Sequence, residues 1–325
     1  MKKIILVFSI LFSMILNVYA EKLSFEGSTC NIQVTYNESV HCGDAICVKM
    51  NIRSKDRSKK NVAETTAVLE LHNAKKKVES VKFFFANQKS RQQNSADMLA
   101  FLPLSVWLSN DNYTLKIVYH AFGSEKEELS LPFTFLETDF IKETIELNAQ
   151  NTAIRTDTSP ERAAQIAKLN SILETVNHSN VFTLKPFVQP VNSTRRTSFF
   201  GDKRIFKYSN GKSSTSVHYG VDYGVPEGTL VTSCADGKVV MAENRITTGW
   251  SVVVEHSPGL YSLYYHLSVL SVKEGQMIKQ GEKLGLSGST GLATGPHLHW
   301  EVRLNMCAVS PDFFTNDYAF TQGEK

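Results

Sequence analysis

His297 and His299, separated by Leu298, follow a run of small residues that extends from Ser287 to Pro296. A second half-site lies upstream, where His218 is followed four residues later by Asp222. Together the half-sites supply three N/O ligands with room for a water, which is the plan of a catalytic zinc site. Residues i and i+2 of a strand share a face and lie about 6.5–7 Å apart. Trp300, Val302 and Leu304 alternate with Glu301 and Arg303, which predicts a strand carrying the His pair. Two imidazoles on one face can divide the work, one binding metal and the other handling protons.

His218 and Asp222 would also share a face on a helix, but Gly220, Gly224 and Pro226 crowd that segment and Val217, Val221 and Val225 favour extended chain. A strand or turn carrying both groups to one rim of a cleft is expected. The helical H-E-x-x-H arrangement is absent from the chain. His266, in the strand-like run Tyr261–Leu267, is the third imidazole, a base or acid near the metal-bound water with a pKa close to working pH. Glu301, two residues beyond His299, reads equally as an acceptor for an imidazole N–H or as a plain surface carboxylate.

From Ser198 to Phe314 the chain resembles the lysostaphin/LytM-type zinc peptidases that cut peptidoglycan cross-bridges. The resemblance is carried by H-x-x-x-D at His218–Asp222, Tyr-x-His-Leu at Tyr264–Leu267 and G-S-T-G-x-x-T-G-P-H-L-H at Gly288–His299. The glycine turns at Gly237 and at Gly275–Gly281 match as well. It implies that His218, Asp222 and His299 bind one Zn2+ ion, and that His266 and His297 are catalytic. None of these five positions is substituted, which argues against the degenerate relatives that have lost ligands and only activate other hydrolases. A non-catalytic or latent wall-binding or activator protein that keeps the groove is the competing reading. The resemblance also allows a segment outside the catalytic region to block the site. Asp139, Glu143, Glu146 and Asp157 are candidates for that role, and a chain starting near Val191 would then be the more active form.

The implied activity is an exported, zinc-dependent hydrolysis of peptidoglycan stem peptides and cross-links. Zinc lowers the pKa of bound water to about 7 and polarises the scissile carbonyl, and a histidine handles the protons. A plain leader, an N-terminal β unit and the lack of a cationic wall-targeting repeat point to a periplasmic D,D-endopeptidase rather than a cutter of glycine bridges. D,D-carboxypeptidase action on uncross-linked stems stays open.

The elements that must position these residues form a mostly β chain. Residues 1–20 read as a signal peptide, with Lys2 and Lys3, an apolar run from Ile4 to Leu16 and a small-residue cleavage pattern ending at Ala20. No second apolar stretch approaches membrane-spanning length, so no membrane span is expected after cleavage. Residues 21–136 alternate as in Ile46/Val48/Met50/Ile52 and Tyr113/Leu115/Ile117/Tyr119, which predicts an N-terminal β-sandwich-like domain. Residues 137–195 are expected to connect, with a helix over 160–177 that starts at Ser159-Pro160 and carries the stripe Ile166, Leu169, Leu173, Val176. Residues 196–318 are expected to be the zinc peptidase domain, an antiparallel sheet with a groove and no good helix. Its cleft walls are sought in Tyr208–Ser216 and Asn244–Trp250, and the Ser287–Gly295 loop is expected to present His297.

A net charge of +3 from 35 basic and 32 acidic residues is too small to argue for nucleic acid. The five cysteines suit an oxidising compartment, and one disulfide is expected among Cys30, Cys42 and Cys47, with Cys234 and Cys307 as buried free thiols.

Overall fold

A computed structural model describes residues 20–27, 29–56, 62–86 and 94–315. The expected signal peptide lies outside them except for Ala20, as do residues 316–318 of the expected peptidase domain.

The N-terminal part runs β1 (Ala20–Glu26), β2 (Cys30–Asn37), β3 (Ser39–His41), β4 (Ala45–Ser54), β5 (Thr66–His72), β6 (Lys77–Lys82), β7 (Phe84–Phe85), β8 (Ser95–Pro103), β9 (Thr114–His120), β10 (Lys126–Leu131) and β11 (Thr134–Leu136). One sheet has the order β1-β2-β4-β8-β7 and the other β10-β9-β5-β6. Ile32, Val34 and Ile52 of the first sheet share one core with Leu69, Leu115 and Ile117 of the second, so the two sheets face each other as a sandwich. The alternation read from the sequence is that inward face.

The first sheet is buried on its outer face too. Cys47, Phe84, Leu99 and Phe101 join a cluster with Phe187, Val302, Leu304 and Phe314 from the C-terminal part. The Phe101 and Phe314 rings lie 6.5 Å apart and those of Phe187 and Phe314 5.4 Å apart. This packing accounts for β8, where six consecutive residues from Met98 to Pro103 are buried in place of an in–out alternation.

The C-terminal part contains β12 (Lys142–Glu146), α1 (Ala149–Thr156), α2 (Pro160–Glu174), β13 (Arg196–Ser198), β14 (Lys203–Lys207), β15 (Ser213–Val217), β16 (Gly220–Tyr223), β17 (Leu230–Thr232), β18 (Gly237–Arg245), β19 (Gly249–Ser257), β20 (Leu260–Leu270), β21 (Met277–Ile278), β22 (Lys283–Ser287), β23 (Leu298–Leu304), β24 (Cys307–Val309) and α3 (Pro311–Thr315). Its main sheet follows the order β13-β16-β23-β20-β19-β18-β21, antiparallel at every pairing. A smaller sheet, β12-β14-β15, stands beside it.

Several expectations change at the level of elements. The helix expected to reach residue 177 ends at Glu174, where Thr175 leaves helical geometry and its N–H returns to the Ile172 carbonyl. Its start is as read, with the Ser159 hydroxyl capping the Arg162 N–H. Only part of its stripe is used: Leu173 is buried against Met241, Val253 and Tyr261, while Ile166 and Val176 face solvent. The segment 137–195 holds two further elements, β12 and α1. The region expected to lack helices ends in α3, a single turn opened by Pro311.

All five cysteines are unpaired, so the expected disulfide is not formed. Cys30 lies in the sandwich core, Cys47 points to the opposite face of its sheet, and the Cys42 thiol contacts the Ser105 carbonyl at 3.4 Å. Cys234 is fully buried in the turn after β17, while Cys307 is only half-buried.

Candidate metal centre

Antiparallel pairing of β16 with β23 sets Asp222 directly opposite His299. Gly220, on the same strand as Asp222, lets this pairing close. A Cβ there would sit 2.4 Å from the Trp300 carbonyl oxygen and 2.9 Å from His299 Nε2. His218 lies just before β16, tied by its N–H to the Asp202 carbonyl at 2.8 Å. The three side chains converge: His218 Nε2 is 3.1 Å from Asp222 Oδ1 and 3.0 Å from His299 Nδ1, and His299 Nδ1 is 2.7 Å from Asp222 Oδ1. All three residues are buried.

The hydrogen bonds assign the ring tautomers, because a carbonyl oxygen can only accept. His218 Nδ1–H donates to the Phe199 carbonyl at 2.8 Å, which leaves Nε2 with a lone pair facing the cluster. His299 is held the other way round, with Nε2–H donating to Glu301 Oε1 at 2.9 Å and Nδ1 facing Asp222 and His218. Two imidazole nitrogens and a carboxylate oxygen thus point at one another with few protons to share. A tetrahedral ion with bonds of about 2.0–2.1 Å would place its donors about 3.3 Å apart, a few tenths of an ångström wider than these separations. The donor set and the spacing fit a divalent metal.

Burial opposes a charge on His299, but the hydrogen bonds and charges of Asp222 and Glu301 outweigh it and lift this imidazole to about 9. His218, and after it His299, hold Asp222 well below the usual carboxylate range despite its burial. Glu301 is pulled down to about 2 against its burial by Arg303 and His299. Of the two readings left open for Glu301, the structure gives the acceptor one. Arg303 continues the chain of contacts, with Nε 2.7 Å from Glu301 Oε2 and its guanidinium 4.8 Å from the Tyr219 ring. Tyr265, opposite His299 on β20, stacks on that imidazole at 5.5 Å with an interplanar angle of 4°.

His266 and His297 join the same cavity. His297 bridges to Gly288 just before β23, and its Nδ1–H donates to the Gly295 carbonyl at 2.8 Å. Its Nε2 lies 3.8 Å from Asp222 Oδ1. His266 Nδ1–H donates to the Thr290 carbonyl at 2.7 Å, and its ring centroid is 4.7 Å from that of His297. Both rings therefore keep a free Nε2. Burial pushes His297 down, and burial with the neighbouring His297 and His299 pushes His266 to about 3, so both are neutral near pH 7. The loop after β22 presents these rings through two carbonyls, Thr290 and Gly295. Gly249 lets that loop approach β19, since a Cβ there would lie 2.0 Å from Thr290 Oγ1.

The five residues singled out in the sequence line one cavity of about 660 Å³. Of the expected walls, Thr247 and Thr248 contribute from one segment and only Ser216 from the other. Sequence reasoning named Glu143 only as a blocking candidate and missed the opposite wall that it forms with Ile145, Leu147 and Arg155 of the segment between the two parts, together with Arg204 of β14. Arg204 Nη2 binds Asp222 Oδ2 at 2.9 Å, and Arg204 Nε binds Glu143 Oε1 at 2.5 Å. Parallel pairing of β12 with β14, Glu143 opposite Arg204, creates that bridge. A lone Arg in a strand gives no sign of a partner 61 residues away. Among the four acidic residues considered as blocking ligands, only Glu143 lines the cavity, and it reaches the cluster through Arg204.

Residues 216–311 match peptidase family M23. The DD-carboxypeptidase/endopeptidase Mpg of Neisseria meningitidis serogroup B is 38% identical over 124 residues, which is 38% of this chain and 28% of that protein. The peptidoglycan DD-endopeptidase ShyA of Vibrio cholerae is 40% identical over 114 residues, 35% of this chain and 26% of that protein. The chain thus spans little more than a quarter of the length of these relatives. A Pseudomonas aeruginosa structure assigned to peptidase M23 superposes with a TM-score of 0.51 at 22% identity, covering 78% of this chain and 89% of that one, which extends the likeness in fold beyond the matched segment. Residues 216–311 of this chain are thus a peptidase family M23 domain.

Proposed function

We propose that this chain is an exported zinc-dependent hydrolase of peptidoglycan peptides, a D,D-endopeptidase with D,D-carboxypeptidase action within reach of the same site. The single observation that carries the reading is the convergence of His218 Nε2, Asp222 Oδ1 and His299 Nδ1 at 2.7–3.1 Å, beside two further imidazoles. Those three atoms would hold one Zn2+, and zinc, when bound, acidifies water and polarises the scissile carbonyl. The names of the two relatives support the D,D linkage.

The remaining steps belong to the chain's own groups. His266 and His297 start neutral with Nε2 open to the cavity, so either can take the proton of the attacking water there. The imidazolium formed returns that proton to the leaving amine. Carbonyl contacts at Nδ1 fix both rings, so the proton enters and leaves at Nε2. The cavity walls, Glu143 to Leu147 on one side and Leu292 to Pro296 on the other, suit an extended peptide. Export and a periplasmic site rest on the N-terminal leader read from the sequence; no helix among the described residues is long and apolar enough to cross a membrane.

The test is incubation of the full chain with purified cross-linked peptidoglycan, with and without chelator, and resolution of the products by mass. Loss of cross-linked dimers, abolished by chelator and restored by zinc, is the expected result. Intact dimers with zinc present would leave a wall-binding or activator protein as the better reading.

A further inference from the structure

The helix α1 lies outside the segment matched to the peptidase family, yet it is bonded to the loop that leads to His297 and to the turn between β14 and β15. Asn151 Nδ2 donates to the Ala293 carbonyl at 3.0 Å, in the loop that leads to His297. One residue on, Thr152 Oγ1 accepts from the Ser209 N–H at 3.0 Å, in the turn between β14 and β15. Asn151 and Thr152 are both buried, and the helix is capped by the Asn148 side chain at 2.8 Å from the Asn151 N–H. These bonds fix α1 beside the cavity, next to the loop that leads to His297.

On this helix sits Arg155, half-buried, with its guanidinium 4.2 Å above the Phe206 ring. It lines the same cavity as the metal cluster. No carboxylate pairs with it among the described residues, and the acidic groups of the cavity are committed elsewhere: Glu143 to Arg204, Asp222 to His299 and Arg204, Glu301 to His299 and Arg303. A guanidinium stacked on a ring keeps its N–H edge available for a bidentate carboxylate.

An unpaired guanidinium in the cavity selects a substrate end. On the acyl side a stem peptide continues toward the glycan. On the leaving side of a D-alanyl bond to a D-amino-acid centre, the amine and a carboxylate share one carbon, so a carboxylate lies within a residue of the cut, whether that residue is terminal or continues through its side chain. A glycyl bridge offers no such carboxylate beside its internal bonds. Resting on the peptidase reading above, we infer that Arg155 is a specificity-determining residue that binds the free carboxylate of the leaving group in the cavity beside α1. The site then takes D-alanyl linkages that release a D-centre amino acid, terminal or cross-linked, in preference to glycyl bridges.

The experiment compares diacetyl-L-Lys-D-Ala-D-Ala as the free acid with its C-terminal carboxamide. Binding of each to the chelator-treated full chain is measured by calorimetry, and kcat and KM are measured with zinc. The wild type is expected to favour the acid by about tenfold in both readouts, with the catalytic preference residing in KM. R155Q is expected to bring the acid down to the level of the carboxamide, and R155K to recover part of the difference. Equal handling of the two peptides by the wild type overturns the inference and needs no variant to fold. So does an equal loss on both peptides in R155Q, or a preference abolished by R195Q, which alters the exposed arginine on the same cavity, and retained in R155Q. Tighter binding of the acid without cleavage of either peptide would count against the peptidase reading while supporting the assignment of Arg155.

Discussion

Glu301 and His299 lie two residues apart on one strand, and the carboxylate of the first accepts the Nε2–H of the second at 2.9 Å. This contact decides which nitrogen of His299 faces Asp222 and His218. A carboxylate behind a ligating imidazole fixes its tautomer and its orientation, and removal of such a partner costs about 10–100-fold in metal affinity. We predict that Glu301→Ala weakens zinc binding by that amount in a chelator competition. Glu301→Gln, whose amide oxygen can still accept the bond, should lose less. Unchanged affinity in Glu301→Ala would mean that Tyr265 stacking alone orients the ring.

A second prediction separates the two proposed roles within the set of imidazoles. His218→Ala and His299→Ala should lose zinc and hydrolysis together, because each removes one of three converging donors. His266→Ala and His297→Ala should retain zinc, by elemental analysis after dialysis, and lose most turnover, by about 10²–10⁴-fold if either ring handles the proton. Loss of zinc in His297→Ala would reverse the assignment within the H-x-H pair.

What the sequence disclosed follows the range of its signals. His297 and His299 share a strand, and a spacing of two is a local property; likewise His218 and Asp222 flank one turn. Glu301 was visible as a residue two places on, but its partner depended on burial, which spacing does not give. Arg204 and Glu143 were invisible as a pair because β12 meets β14 in parallel across a long connection. The α1 helix was hidden for a different reason: its eight residues, Ala149–Thr156, have no apolar stripe, and its stabilising contacts are polar bonds to Ala293 and Ser209. The expected disulfide failed because a count of cysteines carries no information about which face of a sheet each one occupies.

The contact between the sandwich and the peptidase part carries a pH signature. Burial, and then the nearby charge of Asp312, raise Asp44 to about 7. An unfolded Asp titrates near about 3.9. Between those values the folded chain holds a proton that the unfolded chain has released, so stability falls as pH rises from about 4 to about 7 and is flat above. Asp44→Asn removes the ionisation and keeps the shape. Its melting temperature should exceed that of the wild type more at pH 8 than at pH 5. A constant difference across that range would mean that Asp44 is ionised in the fold throughout.

His266 occupies the left-handed region, with φ +61°, at a point where the β19–β20 register shifts between Val252/Tyr264 and Trp250/Leu267. The kink turns the ring into the cavity while the His266 N–H donates to the Thr248 carbonyl at 2.9 Å. A residue with a Cβ gives up about 1–2 kcal/mol to hold this conformation, and glycine does not. Glycine loses part of that advantage through the greater freedom of its unfolded chain, about 0.4–1 kcal/mol. His266→Gly should therefore be more stable than His266→Ala by roughly 0.5–1 kcal/mol in denaturant unfolding, although both lack the imidazole and its bond to Thr290. With hydrolysis lost in both variants, the difference in stability isolates the backbone strain held at the proposed base. A Gly variant no more stable than the Ala variant would show that the kink relaxes once the ring is gone, and that the imidazole bond to Thr290 is what imposes it.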